Sequence, residues 1–238
     1  MDESSISIII PCYNHAASLY RTLHALTQQR YSACEVIVID DGSTDDPAAV
    51  VQRFQAELPI SFFRFDTNRG APAARNEGAR HASGDFLLFL DADVSLVPGA
   101  LALYADTLRL HSEVDFVYPN FWWGTRLFRG RVFDVAALRE QNFIHTSALI
   151  RRSAFPGFDE SLKKFQDWDL WLTMAEKGSR GVWIDRDLYR IEPRREGGMS
   201  RWLPSIMHRI PWPILGYMPQ EVRRYREAGG IIRKKHGI

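Results

Sequence analysis

Short apolar runs alternate with helical periodicities along the first half of the chain. The β-branched runs Ile6–Ile10 and Glu35–Asp40 predict strands that are buried on both faces of a sheet. Between them, Leu19, Leu23 and Leu26 have the spacing of a helix. The same patterns predict strands at Ile60–Phe65, Phe86–Leu90 and Asp115–Pro119, and helices at 45–57, Gly70–His81 and Pro98–Leu110. This order predicts an α/β fold, a Rossmann-like, mostly parallel sheet with helices on both faces.

The pattern is weaker after Asn120. A strand at Ile144–Ile150 and a helix at Asp167–Lys177 are predicted, followed by two short strands at Val182–Asp185 and Leu188–Ile191. We assign residues 1–198 to one α/β domain and residues 199–238 to a C-terminal extension. Prolines 204, 211, 213 and 219 predict short helical pieces in that extension rather than one long helix.

The charge of the chain is concentrated in this extension. The whole chain of 238 residues has a net charge of +1, but residues 199–238 contain eight Arg and Lys residues against two Glu. Tryptophans, tyrosines and several aliphatic residues lie among these charges, as in segments that bind anionic membrane surfaces. The alternative is that the apolar residues pack on the body of the protein or form an oligomer interface.

Composition excludes several classes of protein. Hydrophobic residues make up 45% and charged residues 25% of the chain, which is the balance of a globular domain. No apolar run approaches the roughly 20 residues of a membrane-spanning helix, and no basic signal region precedes the first strand. Cys12 and Cys34 form no disulfide framework. We expect a cytoplasmic protein, peripheral at the inner face of the membrane if the extension binds it, with no nucleic-acid partner.

Acidic residues follow two of the predicted strands directly. Asp40 and Asp41 end the second strand, and Asp91 and Asp93 end the fourth. Ligands of open parallel sheets bind beyond the carboxyl ends of the strands. Paired carboxylates at such a position suit a hard divalent cation that also holds phosphate oxygens, although a lone Asp-x-Asp is otherwise a turn or a helix cap.

Two further segments carry candidate chemistry. In NRGAPAARNEG (Asn68–Gly78), Arg75 lies one turn into a helix of small residues and can face a diphosphate or a nucleobase. In FQDWDLW (Phe165–Trp171), Asp167 or Asp169 can cap a helix or accept a proton in an apolar pocket. A solvated arginine and a simple cap are the alternatives.

Taken together, these segments resemble the inverting family 2 glycosyltransferases, which have the GT-A fold. The resemblance rests on five motifs in the order of the family: SIIIPCYN (Ser7–Asn14), VIDDGSTDD (Val38–Asp46), Asn68–Gly78, GDFLLFLDAD (Gly84–Asp93) and Phe165–Trp171. It extends from Ile6 to about Ile191. Each motif is weak alone, and the five in order are specific.

The resemblance implies a role for each matching residue on the nucleotide side. The nucleoside pocket would be lined by Pro11, Tyr13, Asp40 and Asp41, with Asp41 as the favoured partner of the base. The diphosphate would lie near Arg75, Asp91 and Ala92. Asp91 and Asp93 would hold Mn²⁺ or Mg²⁺, with Asp93 as the more direct ligand.

The resemblance also implies the residues that carry out the transfer. Asp167 matches the catalytic base of the family, with Asp169 as the second candidate. Donor-sugar or acceptor contacts would come from His145, Thr146, Trp168 and Asp169. The implied reaction moves one sugar from a nucleoside-diphosphate sugar, with UDP favoured, to a hydroxyl of a glycan or lipid-linked acceptor in surface polysaccharide or glycoconjugate synthesis.

Two departures from the family pattern affect this expectation. Gln166 stands where many members have Glu, so Asp167 has no carboxylate before it. The stretch Gly198–Trp202 lacks the Gln of the processive Gln-x-x-Arg-Trp motif, which favours a single transfer over polymer synthesis.

Other functions are less well supported. A nicotinamide-dependent oxidoreductase needs Gly-x-Gly-x-x-Gly after the first strand, where this chain has Pro11-Cys12-Tyr13-Asn14-His15. A P-loop phosphotransferase needs GxxxxGK[ST], which the sequence does not contain. A catalytically degenerate module that only binds sugar nucleotides or membranes remains the alternative.

Overall fold

The computed structural model describes residues 4–192 and 218–238, which form one nine-stranded sheet with helices on both faces. The strands are β1 (Ile6–Cys12), β2 (Cys34–Asp40), β3 (Ile60–Arg64), β4 (Phe86–Phe89), β5 (Val94–Leu96), β6 (Phe116–Trp123), β7 (Arg126–Phe128), β8 (Leu149–Arg151) and β9 (Gly181–Ile191). The helices are α1 (Ala16–Thr27), α2 (Pro47–Gln52), α3 (Ala71–His81), α4 (Ala100–Leu110), α5 (Val135–Glu140), α6 (Gln166–Glu176) and α7 (Gln220–His236).

The first half of the sheet is parallel, in the order β3-β2-β1-β4. Ile8 of β1 pairs with Val36 on one side and Leu88 on the other. All seven residues of β1 are buried, which explains its continuous apolar run. Because these strands run in the same direction, their carboxyl ends meet at one edge.

The second half of the sheet mixes strand directions. β8 is antiparallel to β4 and β6, and β9 is parallel to β6 but antiparallel to β5. The predicted strands Val182–Asp185 and Leu188–Ile191 form one strand, β9, whose pairing with β6 shifts register around Asn120. The weak pattern after Asn120 contains the β6–β7 hairpin and the short α5, which was not predicted.

Two apolar cores cover the two faces of the sheet. One contains Leu23 of α1 and Leu101 of α4, and the other contains Trp171 of α6 and Ala74 of α3. The helix α3 lies very close to β1 at Gly78. A Cβ at this position would fall 2.3 Å from a methyl carbon of Ile9, so the packing leaves no room for a side chain. The predicted layering, with helices on both faces of the sheet, is therefore observed.

The extension contains one long helix where only short pieces were predicted. The prolines all precede Gln220, so the 17 residues of α7 run without interruption. Val222 and Ile232 of this helix are fully buried, and Ile232 joins the core beneath α6. The aromatic segment of the extension and the predicted boundary at residue 198 lie outside the described residues. Within residues 4–192 and 218–238, no helix is both long and apolar enough to cross a bilayer.

Candidate active site

The candidate site lies at the edge where β1, β2 and β4 end. The Asp41 N–H donates to the carbonyl of Cys12, at 2.8 Å, and the Leu90 N–H donates to the carbonyl of Ile9, at 2.9 Å. These bonds continue the strand pairing to the ends of the strands. The loops that follow β1, β2 and β4 are therefore brought side by side, as predicted for the acidic residues that they carry.

The loops after β1 and β2 are tied together by Asn14. Its Oδ1 accepts from the Thr44 N–H at 2.8 Å, and its own N–H donates to Ser43 Oγ at 2.9 Å. Asn14 has a positive φ of 55°, a conformation that asparagine tolerates better than most residues. Beside it, Pro11 is buried within β1, whereas Tyr13 is 44% exposed and offers an aromatic face to a nucleobase.

Asp40 is fully buried at the end of β2. Its Oδ1 accepts from the Ser43 N–H at 2.9 Å, which closes the turn after the strand. Among the described residues no donor bonds its Oδ2, which lies 3.4 Å from Nη1 of Arg64. Asp40 is therefore a buried residue that holds the turn after β2, rather than a free carboxylate at the strand ends.

Asp41 holds the start of α3. Its two oxygens accept from the backbone N–H groups of Arg69, at 2.6 Å, and Gly70, at 2.8 Å. Burial raises the pKa of Asp41, and these two hydrogen bonds partly oppose the shift. Each carboxylate oxygen has more than one lone pair, so Asp41 can still accept from a nucleobase N–H.

Arg75 connects three parts of the site. Its Nη2 donates to Oδ1 of Asp91 at 2.6 Å, its Nη1 donates to Oε1 of Gln166 at 2.9 Å, and its guanidinium lies over the ring of Phe158. Its Nε–H is buried without an acceptor among the described residues. Burial disfavours the charge on Asp91, but the attraction of Arg75 prevails and lowers the pKa of Asp91.

The Asp-x-Asp turn is fixed through its backbone. The carbonyl of Ala92, which is buried, accepts from Thr22 Oγ1 at 2.9 Å, and the carbonyl of Asp93 accepts from the Glu192 N–H at 3.3 Å. Asp91 and Asp93 are both partly exposed. The turn therefore places two carboxylates at the edge of the site and ties them to the end of β9.

His145 lies between the two acidic parts of the site. Burial lowers its pKa, while the charges of Asp91 and Asp167 both act to raise it. Its ring lies 5.0 Å from that of Phe121, and its Nδ1 accepts from the Ser147 N–H at 3.2 Å. The neutral ring therefore carries its proton on Nε2.

Asp167 is held in one orientation at the start of α6. Its Oδ2 accepts from Asn142 Nδ2 at 2.8 Å, and its Oδ1 accepts from the Trp168 N–H at 2.9 Å. Burial raises the pKa of Asp167, and His145, the Trp168 N–H and Arg75 oppose the shift. A carboxylate with a raised pKa is a better proton acceptor than an ordinary surface aspartate.

A cavity of about 420 Å³ opens beside Asp167. One side is built by the body of the protein and the other by α7. It is lined by Glu140, Gln141, Asn142, Phe165, Asp167, Trp168, Tyr225, Arg226, Gly229, Gly230 and Arg233. The volume suits a sugar residue or two, and the cavity places such a ligand next to the carboxylate.

The structure separates Asp169 from this cavity. Residues two apart on a helix lie about 200° apart around its axis, so Asp169 points away from Asp167. Its Oδ1 lies 2.7 Å from Lys235 Nζ and 2.9 Å from His236 Nε2. Trp168 is buried and lines the cavity, whereas Thr146 is buried and does not line it.

Several residues of the site were not predicted from the sequence. Asn142 follows α5, a helix that the sequence pattern did not reveal. Arg233 and Tyr225 come from the extension, for which the sequence left both membrane binding and packing on the body open. Gln166 was noted only as a departure from the family, and here it binds Arg75. No local signal connects these residues to Asp167, because tertiary contacts bring them there.

Comparison with known proteins identifies the family. The profile described as "Glycosyl transferase family 2" matches residues 7–157. A glycosyltransferase of Haemophilus influenzae, itself uncharacterized, is 38% identical over 188 residues, which cover 73% of this chain and 63% of that protein. The chain spans 35% of a glycosyltransferase from Rickettsia conorii, to which it is 26% identical.

Solved structures with the same fold contain nucleotide sugars. Staphylococcus aureus TarS in complex with UDP-GlcNAc superposes with a TM-score of 0.73 at 22% identity, covering 92% of this chain and 69% of that one. The mannosyltransferase PcManGT of Pyrobaculum calidifontis, in complex with GDP-Man and Mn²⁺, gives a TM-score of 0.66 at 22% identity, covering 82% and 59%. The GT-A fold predicted from the motifs is therefore confirmed, and the chain belongs to glycosyl transferase family 2.

Proposed function

We propose that this protein transfers one sugar from a nucleoside-diphosphate sugar to an acceptor hydroxyl, with inversion at the anomeric carbon. The observation that carries the proposal is the placement of Asp167. It is oriented by Asn142 at the wall of a cavity. The charges of His145 and Arg75 act on both Asp167 and Asp91, so the two carboxylates share one electrostatic environment. A proton acceptor thus faces the site where a leaving diphosphate would be held.

The strand-end edge suits a nucleoside diphosphate. Tyr13 and Asp41 lie on the side of β1 and β2, where the nucleoside would bind, and Arg75 and Asp91 lie on the side of β4, where the diphosphate would bind. The buried Nε–H of Arg75 offers one donor to a ligand. The UDP-GlcNAc and GDP-Man complexes of proteins with the same fold support such a donor, and we favour a UDP-sugar.

The donor set at Asp91 and Asp93 fits Mn²⁺ or Mg²⁺. Among residues 4–192 and 218–238, no group of three or more His, Cys, Asp or Glu side chains could enclose an ion. Two carboxylates on one turn still fit, because Mg²⁺ takes one or two protein carboxylates and completes its shell with water and phosphate oxygens. Oδ1 of Asp91 binds Arg75, and we propose Asp93 as the more direct ligand. Such an ion neutralises charge on a departing diphosphate.

The residues of this chain perform the remaining steps. Asp167 accepts the proton of the acceptor hydroxyl as its oxygen forms a bond to the anomeric carbon. The bond from that carbon to the diphosphate breaks, and its electron pair stays on the phosphate oxygen. His145, neutral and held by Ser147, forms part of the wall around the donor sugar. Asp169 is a poor alternative base because Lys235 and His236 bind its carboxylate.

The direct test is turnover of a panel of donors. UDP-glucose, UDP-galactose, UDP-GlcNAc and GDP-mannose should be incubated with the protein, mixed oligosaccharide and lipid-linked acceptors, and either Mn²⁺ or EDTA. We expect release of the nucleoside diphosphate from one of them with Mn²⁺. Binding of donors without any turnover across the panel would favour the alternative of a degenerate binding module.

Asn142 gives a prediction for the pH dependence. Its N–H stabilises the ionised form of Asp167, so Asn142→Ala should raise the pKa of Asp167 further. Asp167 must be ionised to accept a proton, so activity is lost as pH falls through this pKa. The midpoint of the acid limb of the kcat–pH profile should already lie above about 3.9, the ordinary pKa of an aspartate. In Asn142→Ala we expect this midpoint to move up by about one pH unit.

The control for this prediction is Arg139→Ala, which removes an exposed side chain from α5. Its acid limb should match that of the unchanged protein. An Asn142→Ala profile that overlays the wild-type profile would show that Asn142 does not influence the base.

We also propose that α7 contributes to binding an anionic membrane surface, which would bring the site to a lipid-linked acceptor. Arg223, Arg224 and Lys234 are exposed and have no ion pair among the described residues. Each basic residue near such a surface contributes about 1 kcal/mol. Replacing all three with Gln should weaken co-sedimentation with anionic vesicles by about 100-fold at low salt.

The matched control replaces Arg30, Arg53 and Arg139, three exposed arginines of the body, with Gln. This variant should bind vesicles as the unchanged protein does. If the unchanged protein binds neutral and anionic vesicles equally, or neither, the membrane proposal is wrong.

A further inference from the structure

The wall of the cavity formed by α7 is firmly attached to the body. Lys235 Nζ lies 2.7 Å from carboxylate oxygens of both Asp159 and Asp169, and the two ring nitrogens of His236 contact Asp169 and Glu176. The side chains of His236 and Asp169 are 3% and 5% exposed, so this contact is buried. The residues of α7 that line the cavity are therefore held in place opposite Asp167.

Those lining residues form one stripe along the helix. Arg226, Gly229, Gly230 and Arg233 follow the i, i+3, i+4, i+7 spacing of a single helical face. The two arginines are two turns apart, about 10 Å along the axis. The stripe thus presents a cation at each end and no side chain in the middle.

In the described structure, no neighbouring atom comes close enough to either glycine to exclude a side chain there. A Cβ on Gly230 would meet nothing within 4 Å, and one on Gly229 would meet only a ring carbon of Phe165, at 3.8 Å. Glycine is unfavourable in a helix interior. Their place in the cavity is therefore best explained by the room that they leave for a ligand.

Arg233 has most of its hydrogen-bonding capacity available. Its guanidinium lies over the ring of Trp168, 5.5 Å from the centroid, and one Nη donates to the carbonyl of Glu140 at 3.3 Å. Within the part of the chain that the structure describes, Arg233 forms no ion pair with a carboxylate. A planar guanidinium with unused donors favours bidentate binding of a phosphate or a carboxylate.

The cavity also has an aromatic wall. The rings of Phe165 and Tyr225 pack edge to face, 4.8 Å apart, and Trp168 lies beside them. Flat aromatic surfaces of this kind suit the apolar face of a sugar ring. Sugar-binding and anion-binding chemistry therefore occur together, next to the proposed base.

We propose that this cavity is the acceptor site, and that the acceptor is an acidic sugar whose phosphate or carboxylate binds Arg233. Its ring packs on the aromatic wall and its hydroxyl reaches Asp167. The proposal rests on the proposed function and adds the chemical class of the acceptor. It also makes the C-terminal helix part of the substrate site.

The test uses the full chain, saturated with UDP and Mg²⁺ so that the strand-end site is filled. Glucose, glucose 6-phosphate and glucuronate are titrated separately by ligand-observed NMR, which tells phosphate recognition from carboxylate recognition. We expect at least one acidic sugar to bind ≥10-fold more tightly than glucose. In Arg233→Gln this preference should fall to about twofold or less, whereas Arg53→Gln, a change at an exposed arginine of the body, should keep it.

Gly230→Leu separates a binding role from a structural one. Leucine fills the cavity, favours the helix and meets no neighbour at Cβ, so the melting temperature should not fall while binding of the acidic sugar drops ≥10-fold. Equal binding of the three sugars, or a preference that survives both variants, overturns the proposal. UDP binding is measured separately: if UDP itself fails to bind, the proposed function falls and the acceptor site with it.

Discussion

Replacing Asp167 with asparagine is expected to lower kcat by about 10²–10⁴-fold, the usual contribution of a positioned base. Asparagine keeps the size of the side chain, and its Oδ1 can still accept a hydrogen bond, but it cannot take up a proton. The loss corresponds to about 2.7–5.4 kcal/mol of the activation barrier. Donor affinity should change little, because Asp167 lines the cavity beside α7 rather than the strand-end edge.

The matched variant is Asp169→Asn, two residues further along α6. It weakens the contacts to Lys235 and His236, so we expect a lower melting temperature and a looser α7. The effect on kcat should be smaller than that of Asp167→Asn. Near-normal turnover in Asp167→Asn, together with a severe loss in Asp169→Asn, would assign the role of base to Asp169.

Asp93→Ala is expected to have the second large effect. Mutating a residue that only hydrogen-bonds a metal ligand already lowers metal affinity by about 10–100-fold. Asp93 is proposed to be a direct ligand, so its loss should cost at least as much. Calorimetry of UDP binding should therefore show at least that loss in the presence of Mn²⁺ and little change in EDTA. The variant should still fold, because the hydrogen bond from the Glu192 N–H is accepted by the backbone carbonyl of Asp93 and does not need its side chain.

The control for this experiment is Asp106→Ala, an exposed carboxylate of α4 that pairs with Arg109. It should leave nucleotide binding unchanged with and without Mn²⁺. Metal-dependent affinity that is as strong in Asp93→Ala as in the unchanged protein would remove Asp93 from the metal site.

The first half of the fold follows closely from the sequence because its strands are buried on both faces. Runs such as those of β1 and β2 can only be placed in the centre of a parallel sheet. The acidic residues at their ends are then placed at one edge by topology alone. The sequence alone therefore predicts that Asp40, Asp41, Asp91 and Asp93 lie at one edge of the sheet.

The second half was less predictable for physical reasons. The pairing of β9 with β6 shifts register partway along the strand. The buried and exposed residues of β9 therefore do not follow the two-residue period of a regular strand. The prolines before Gln220 suggested broken helices, but none of them lies within α7. Whether that helix faces a membrane or the body depends on contacts more than 60 residues away in the chain, such as His236 with Asp169.

The two aspartates of FQDWDLW show what sequence can and cannot decide. The sequence offers both as candidate bases, and the roughly half turn of helix between them puts their side chains on opposite sides. Their partners, Asn142 for Asp167 and Lys235 for Asp169, come from distant segments. The choice between them therefore requires the tertiary structure.

The stereochemistry of the transfer tests the central claim most directly. With the donor identified by the panel, proton NMR of the anomeric signals should show an α-linked donor converted to a β-linked product by the unchanged protein. Asp167→Asn should bind the same donor and form almost no product. A product that retains the α configuration, or one formed at the normal rate by Asp167→Asn, would contradict a single displacement driven by this carboxylate.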